Sequence, residues 1–278
     1  MKKSLFVIGL ILTASLTSCV IGKENGKMKL DVESKKASYG EFSVSPMDEH
    51  VTISKNEVVI APAEEDVTYV ISGYFKGQII TKTKDTILKL DNAYIENDGG
   101  VAAIKCNAKT EISVASGSEN YIVSKGRSYS KLAALQGKRG LVIGGSGTLY
   151  VSGSVCHGVE AEEIKMKGSG VYYIQGTKNG SAITCETFTV EPDKTFRCYL
   201  LNSKNGLKAD GKIDIKSGEY FIYDNEVALK TDDSEDEDGK HHSINLYGGT
   251  FHIFGNKTLY ITEKDKYFAD GAEFIEEL

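Results

Sequence analysis

The chain has 278 residues, 40% of them hydrophobic, with a formal net charge of −6 and a pI near 5.5. That acidic balance excludes nucleic acid as a partner, because phosphate binding needs a basic face. Gly is abundant at 29, Pro scarce at 3 and Trp absent, which suits a turn-rich sheet whose ladders Pro would interrupt.

In chain order, Met1-Lys2-Lys3 is a basic start and Leu5 to Leu12 an apolar stretch too short to span a membrane. Leu16-Thr17-Ser18-Cys19 resembles a bacterial lipobox. Residues 1–18 then form a lipoprotein signal peptide, and Cys19 is the lipidation site. Val20 follows the cysteine in place of Asp. By analogy with the sorting rule in diderm bacteria, this favours the outer membrane or cell surface, held by the lipid anchor only. Residues 19–40 are polar, Lys-rich and without periodicity, and read as a flexible tether.

Residues 41–278 read as one all-β domain. Short apolar runs bounded by turns begin with Val58-Val59-Ile60, Tyr69-Val70-Ile71 and Gln78-Ile79-Ile80. They form the first, less regular coils and a cap over an exposed strand edge. Beyond them a unit recurs: Leu149-Tyr150-Val151, Tyr172-Tyr173-Ile174, Phe196-Arg197-Cys198, Tyr220-Phe221-Ile222 and Phe251-His252-Ile253. Tyr150 to Tyr173 is 23 residues, Tyr173 to Arg197 is 24, Arg197 to Phe221 is 24 and Phe221 to His252 is 31. An acidic insertion accounts for the last, longer step. Such a period points to a stacked array, here the coils of a parallel β-helix roughly 4.8 Å apart. Cys106, Gly137, Ala161, Cys185, Ala209 and Thr231 fall in one column of small residues. Cys106 and Cys185 lie three coils apart, roughly 14 Å, too far for a disulfide, and pack there as small hydrophobes.

The stretch from Thr68 to Ile122 resembles the opening of a family of exported bacterial carbohydrate-binding domain-containing proteins. The matches are Gly73, Gly77-Gln78-Ile79, Leu88, Leu90-Asp91-Asn92, Ala103-Ile104 and Gly117-Ser118-Glu119-Asn120. Later coils match at Gly206 to Asp210 and Gly248 to Ile253, so the resemblance spans roughly Val58 to Gly255. It implies a pectate-lyase-like, right-handed parallel β-helix that binds plant-type or acidic polysaccharide and calcium.

Strand side chains alternate. With Leu149/Val151, Tyr172/Ile174, Phe196/Cys198, Tyr220/Ile222 and Phe251/Ile253 facing inward, Tyr150, Tyr173, Arg197, Phe221 and His252 form an outward column. Ser113, Val142, Lys165, Thr189, Asp214 and Asn245 form a mostly polar column on the preceding strands. Aromatic faces stack on the C–H faces of sugars and Arg reaches carboxylates, so the first column is the candidate carbohydrate site. The alternative is that these rings stack on one another or lie under a loop. The run Thr231 to Lys240 carries Asp232, Asp233, Glu235, Asp236 and Asp238, oxygen ligands of the kind Ca2+ takes, although the EF-hand spacing is missing; the alternative is a solvated acidic loop.

Catalysis has weaker support. Arginine occurs only at Arg127, Arg139 and Arg197, and no paired-carboxylate motif stands on adjacent coils of the aromatic face. The expected protein is a monomeric, non-catalytic, polysaccharide-binding envelope lipoprotein with Ca2+ as its candidate cofactor. A β-helix polysaccharide lyase and a surface adhesin for host protein are the alternatives.

Overall fold

The computed structural model describes residues 21–24, 27–83, 85–126, 132–154, 156–191, 193–231, 243–262 and 265–276. It is an all-β protein built on one 24-stranded sheet. Most pairings are parallel and join strands about one sequence repeat apart, so the same three ladders are extended again and again.

The first ladder runs through Thr110–Val114, Gly140–Gly145, the second half of His157–Met166, the second half of Ser181–Val190 and on to Ser243–Leu246. The second runs through Glu119–Ser124, Thr148–Gly153, Val171–Gln175, Arg197–Leu201, Glu219–Tyr223 and Gly249–Phe254. The third runs through Ile104–Cys106, Ala133–Gly137 and the first halves of the same long strands, to Val227–Thr231. A tight turn joins first to second ladder, and Gly145 and Gly168 supply it. Their φ angles of 101° and 86° lie in the left-handed region, and a Cβ on Gly145 would sit 2.1 Å from the Val114 carbonyl oxygen.

The N-terminal end departs from the expected all-parallel coils. Ser43–Ser45 pairs antiparallel with Val67–Lys76, Val51–Ile53 antiparallel with Glu57–Ile60, and Ile21–Glu24 antiparallel with Lys27–Leu30. The sheet is therefore mixed.

Inward positions stack like upon like. Ile143, Met166, Val190, Ile215 and Leu246 make one buried column, and Leu135, Val159, Ile183, Leu207 and Leu229 another. Each such side chain contributes about 1.5–3 kcal/mol by leaving water. The small-residue column is as read from the repeat: Cys106 pairs with Gly137, Ala161 with Cys185, Cys185 with Ala209 and Ala209 with Thr231. Cys106, Cys156, Cys185 and Cys198 are buried, and burial pushes the Cys106 thiol up to about 11.

Two registers differ from the sequence reading. Tyr173 pairs with Tyr199, which pairs with Phe221. Arg197 pairs with Val171 and Glu219 instead, so the inward pair of that coil is Cys198/Leu200. Phe196, read as an inward strand residue, is buried at the turn, its ring edge-on to Tyr172 and Tyr220. In the preceding column Ser113 pairs with Gly144, and it is Glu111 that pairs with Val142.

Candidate functional site

The outward column of the second ladder is longer and more uniform than expected. It runs Tyr94, Tyr121, Tyr150, Tyr173, Tyr199, Phe221, His252. Strand spacing of roughly 4.8 Å brings consecutive rings into parallel stacking. Centroid distances are 5.2, 4.6, 4.8, 4.4, 4.4 and 4.3 Å in that order, and the planes lie within 21° of one another. Each stacked pair is worth about 0.5–1.5 kcal/mol beyond its buried area. The ring faces are therefore taken by neighbouring rings. What the ladder offers a ligand is a row of ring edges and phenolic hydroxyls, not the faces the sequence reading had assigned to sugar.

Of the five residues assigned to the column, Tyr150, Tyr173, Phe221 and His252 stand in it and Arg197 stands beside it. Arg197 is exposed, and its Nε donates to Glu219 Oε2 at 2.8 Å. Glu219 Oε1 lies 3.1 Å from His252 Nε2. Tyr199 holds the place given to Arg197. The alternation apolar–x–apolar fits Cys198-Tyr199-Leu200 as well as Phe196-Arg197-Cys198, and only the register separates them.

The ladder has two halves. Tyr173, Tyr199, Phe221 and His252 are half-buried. Tyr94 and Tyr121 are fully buried and Tyr150 is 7% exposed, because the segment expected to be a tether lies across them. Leu30 and Val32 join the hydrophobic cluster of Tyr94, Tyr121 and Tyr150. Tyr39 packs edge-on to Tyr94 and Tyr121 at 5.5 and 5.7 Å. The Leu30 amide donates to Gln175 Oε1 at 3.1 Å, the Tyr94 hydroxyl to the Val32 carbonyl at 3.1 Å, and the Tyr39 hydroxyl to the Glu119 carbonyl at 2.9 Å. Over residues 30–39 the segment expected to be a tether therefore lies packed on the domain, with Leu30, Val32 and Tyr39 as its apolar contacts.

Ion pairs hold the same segment. Lys36 and Lys125 both pair with Glu96, and Lys125 also pairs with Glu33. Tyr74 donates its hydroxyl to Glu96. Burial would raise the Glu96 carboxyl, but hydrogen bonds from Lys125, Lys36 and Tyr74 outweigh it and hold the group at about 2.

A second surface was missed by sequence reading. At the corner between third and first ladders, Lys105, Gln136, Glu160 and Thr184 line a groove of about 550 Å³ with Lys138, Glu162, Glu186 and Asp210. Gln136 Nε2 donates to Glu160 Oε2 at 3.3 Å. Burial, and then the charge of Asp210, raise the Glu160 carboxyl despite that bond. The signal was present as an acidic residue directly after the small-residue column in successive repeats, at Glu162, Glu186, Asp210 and Asp232.

Cys19 and the acidic run Asp232, Asp233, Glu235, Asp236 and Asp238 lie outside the described residues. Among the described residues no group of three or more His, Cys, Asp or Glu side chains is placed to hold a metal ion, and no helix is long and apolar enough to cross a membrane.

With this geometry in view, comparison with known proteins is specific in one respect. A solved structure titled "Structure of the polysaccharide lyase-like protein from C. thermocellum, Gadolinium derivative" superposes with a TM-score of 0.56 at 17% identity, covering 81% of this chain and 93% of that one. At that identity the likeness is one of fold. No curated protein matches the chain. The family model for carbohydrate-binding domain-containing proteins matches residues 48–191, more than half of the sequence, and the chain belongs to that family.

Proposed function

We propose that this chain is an exported lipoprotein, lipidated at Cys19 and held at the outer membrane or cell surface, whose ladders wind as a right-handed parallel β-helix and bind polysaccharide without cleaving it. Within a member of a carbohydrate-binding family, the observation that carries the reading is the open half of the aromatic ladder. Ring edges from Tyr173 through Tyr199 and Phe221 to His252 form a straight half-buried row, with the Arg197–Glu219 pair along one side. Tyrosine hydroxyls and the Arg197 guanidinium suit hydroxyl and carboxylate groups of a glycan. The acidic run from Asp232 to Asp238 is assigned to Ca2+, which would bridge an acidic glycan to an acidic protein.

The test is a pull-down of the mature domain on insoluble and acidic polysaccharides, with calcium and with chelator. Retention on acidic glycans in calcium is expected, and Tyr199→Ala with Phe221→Ala should weaken it about tenfold, roughly 1.4 kcal/mol. No retention on any glycan in either condition overturns the reading. Membrane partitioning that survives Cys19→Ser overturns the anchor.

The raised carboxyl of Glu160 in a groove with further carboxylates favours a second reading, a lyase. It requires absorbance from unsaturated product on incubation with polyuronates; inert behaviour beside an active control removes it.

A further inference from the structure

The covered half of the aromatic ladder is continuous with the open half in register, ring spacing and hydroxyl chemistry. We infer that Tyr94, Tyr121 and Tyr150, with Lys125, form a second stretch of the glycan site, one for acidic polysaccharide, now occupied by the chain's own segment Leu30–Tyr39. The inference rests on the polysaccharide reading above and deepens it.

Three observations carry it. First, the segment contacts the ladder as a uronic-acid chain would. The Val32 carbonyl accepts from the Tyr94 hydroxyl, Leu30 and Val32 pack in one cluster with the three rings, and the Glu33 carboxylate pairs with Lys125. Second, the fit is incomplete. The buried Tyr121 hydroxyl has no hydrogen-bond partner among the described residues, a costly omission that a hydroxyl-rich ligand could repair. Third, the segment can leave without stranding a buried charge. Glu96 is 2% exposed by side chain and loses Lys36, but keeps Lys125 at 2.6 Å and the Tyr74 hydroxyl. Lys125 in turn exchanges Glu33 for a sugar carboxylate, a like-for-like replacement that an uncharged glycan cannot make.

The test uses the full mature chain with polygalacturonate as acidic probe and a soluble β-glucan as neutral one. A Val32→Asp, Lys36→Ala variant, altered only in the covering segment, should bind polygalacturonate about tenfold more tightly while its affinity for the β-glucan changes less than twofold. In the unaltered chain, saturating polygalacturonate should raise amide exchange across residues 30–39 while the ladder strands stay protected. Unchanged or weaker polygalacturonate binding by a variant with intact core protection overturns the inference. So does a covering segment whose exchange is unchanged or slowed by polygalacturonate, a measurement that decides the matter alone if the variant fails to fold. If neither chain binds either probe, the polysaccharide reading itself fails and the second stretch falls with it.

Discussion

The two halves of the aromatic ladder are alike in register and ring stacking and differ most in what lies over them. Tyr121 and Tyr150 stack at 4.6 Å, Tyr199 and Phe221 at 4.4 Å. Yet Tyr121 is sealed and Tyr199 half-buried. Strand alternation puts all of these rings on the outer face; a segment far away in sequence decides which of them meet water. Outward-facing and solvent-facing are separate properties in a stacked array, and only the first can be read from a repeat.

The largest expected effect sharpens this difference. Tyr121→Ala removes a ring enclosed by two stacked neighbours and Tyr39, and should cost about 3–5 kcal/mol. Tyr199→Ala removes a ring that has two neighbours but is open at its edge, and should cost about 1–2 kcal/mol. Chemical denaturation midpoints at constant slope measure both. Equal costs would mean that stacking alone sets a ring's contribution and that the covering segment adds none.

A smaller effect concerns the clasp. Glu96 is held at about 2, against an ordinary value of 4.5. A depressed carboxyl stabilises the fold fully above its unfolded value and loses that contribution as pH falls through the folded one. The clasp should therefore weaken between about pH 4.5 and 2, by on the order of 1 kcal/mol, since of the three donors only Lys36 leaves with the segment and its exposure screens the pair. In Glu96→Gln that loss is already present at neutral pH and the dependence in this window flattens. Amide exchange of residues 30–39 against pH checks it. A covering segment equally protected at both ends of the window would show that apolar contacts alone seat it.

How far the sequence reached follows from the same separation. The repeat placed Tyr150, Tyr173, Phe221 and His252 in one column and Cys106 with Cys185 in another, because the apolar–x–apolar motif returns even where an insertion lengthens the step, as in the 31 residues from Phe221 to His252. Arg197 failed because the preceding turn is longer there, and Phe196, buried in that turn, imitates a strand residue. The covering segment left almost no trace. Leu30, Val32 and Tyr39 follow no period, and their partners are tens of residues away. The groove at Glu160 was hidden because a carboxylate at a corner reads as an ordinary turn residue until its neighbours in adjacent coils are known.

The smallest effect bears most directly on what the covered half is for. If the orphaned Tyr121 hydroxyl is only an imperfection of packing, Tyr121→Phe removes an unpaired buried oxygen and keeps the ring. Stability should then rise by about 1 kcal/mol, a Tm increase of about 2–4 °C. The same substitution deletes a group available to a glycan once the covering segment is displaced. In the Val32→Asp, Lys36→Ala background, Tyr121→Phe should therefore weaken polygalacturonate binding severalfold while still stabilising the unaltered chain. A stabilised chain with undiminished binding would assign Tyr121 to packing alone and confine the glycan to the open half. Opposite signs in the two backgrounds are what a residue shaped for a ligand, and tolerated under a cover, should produce.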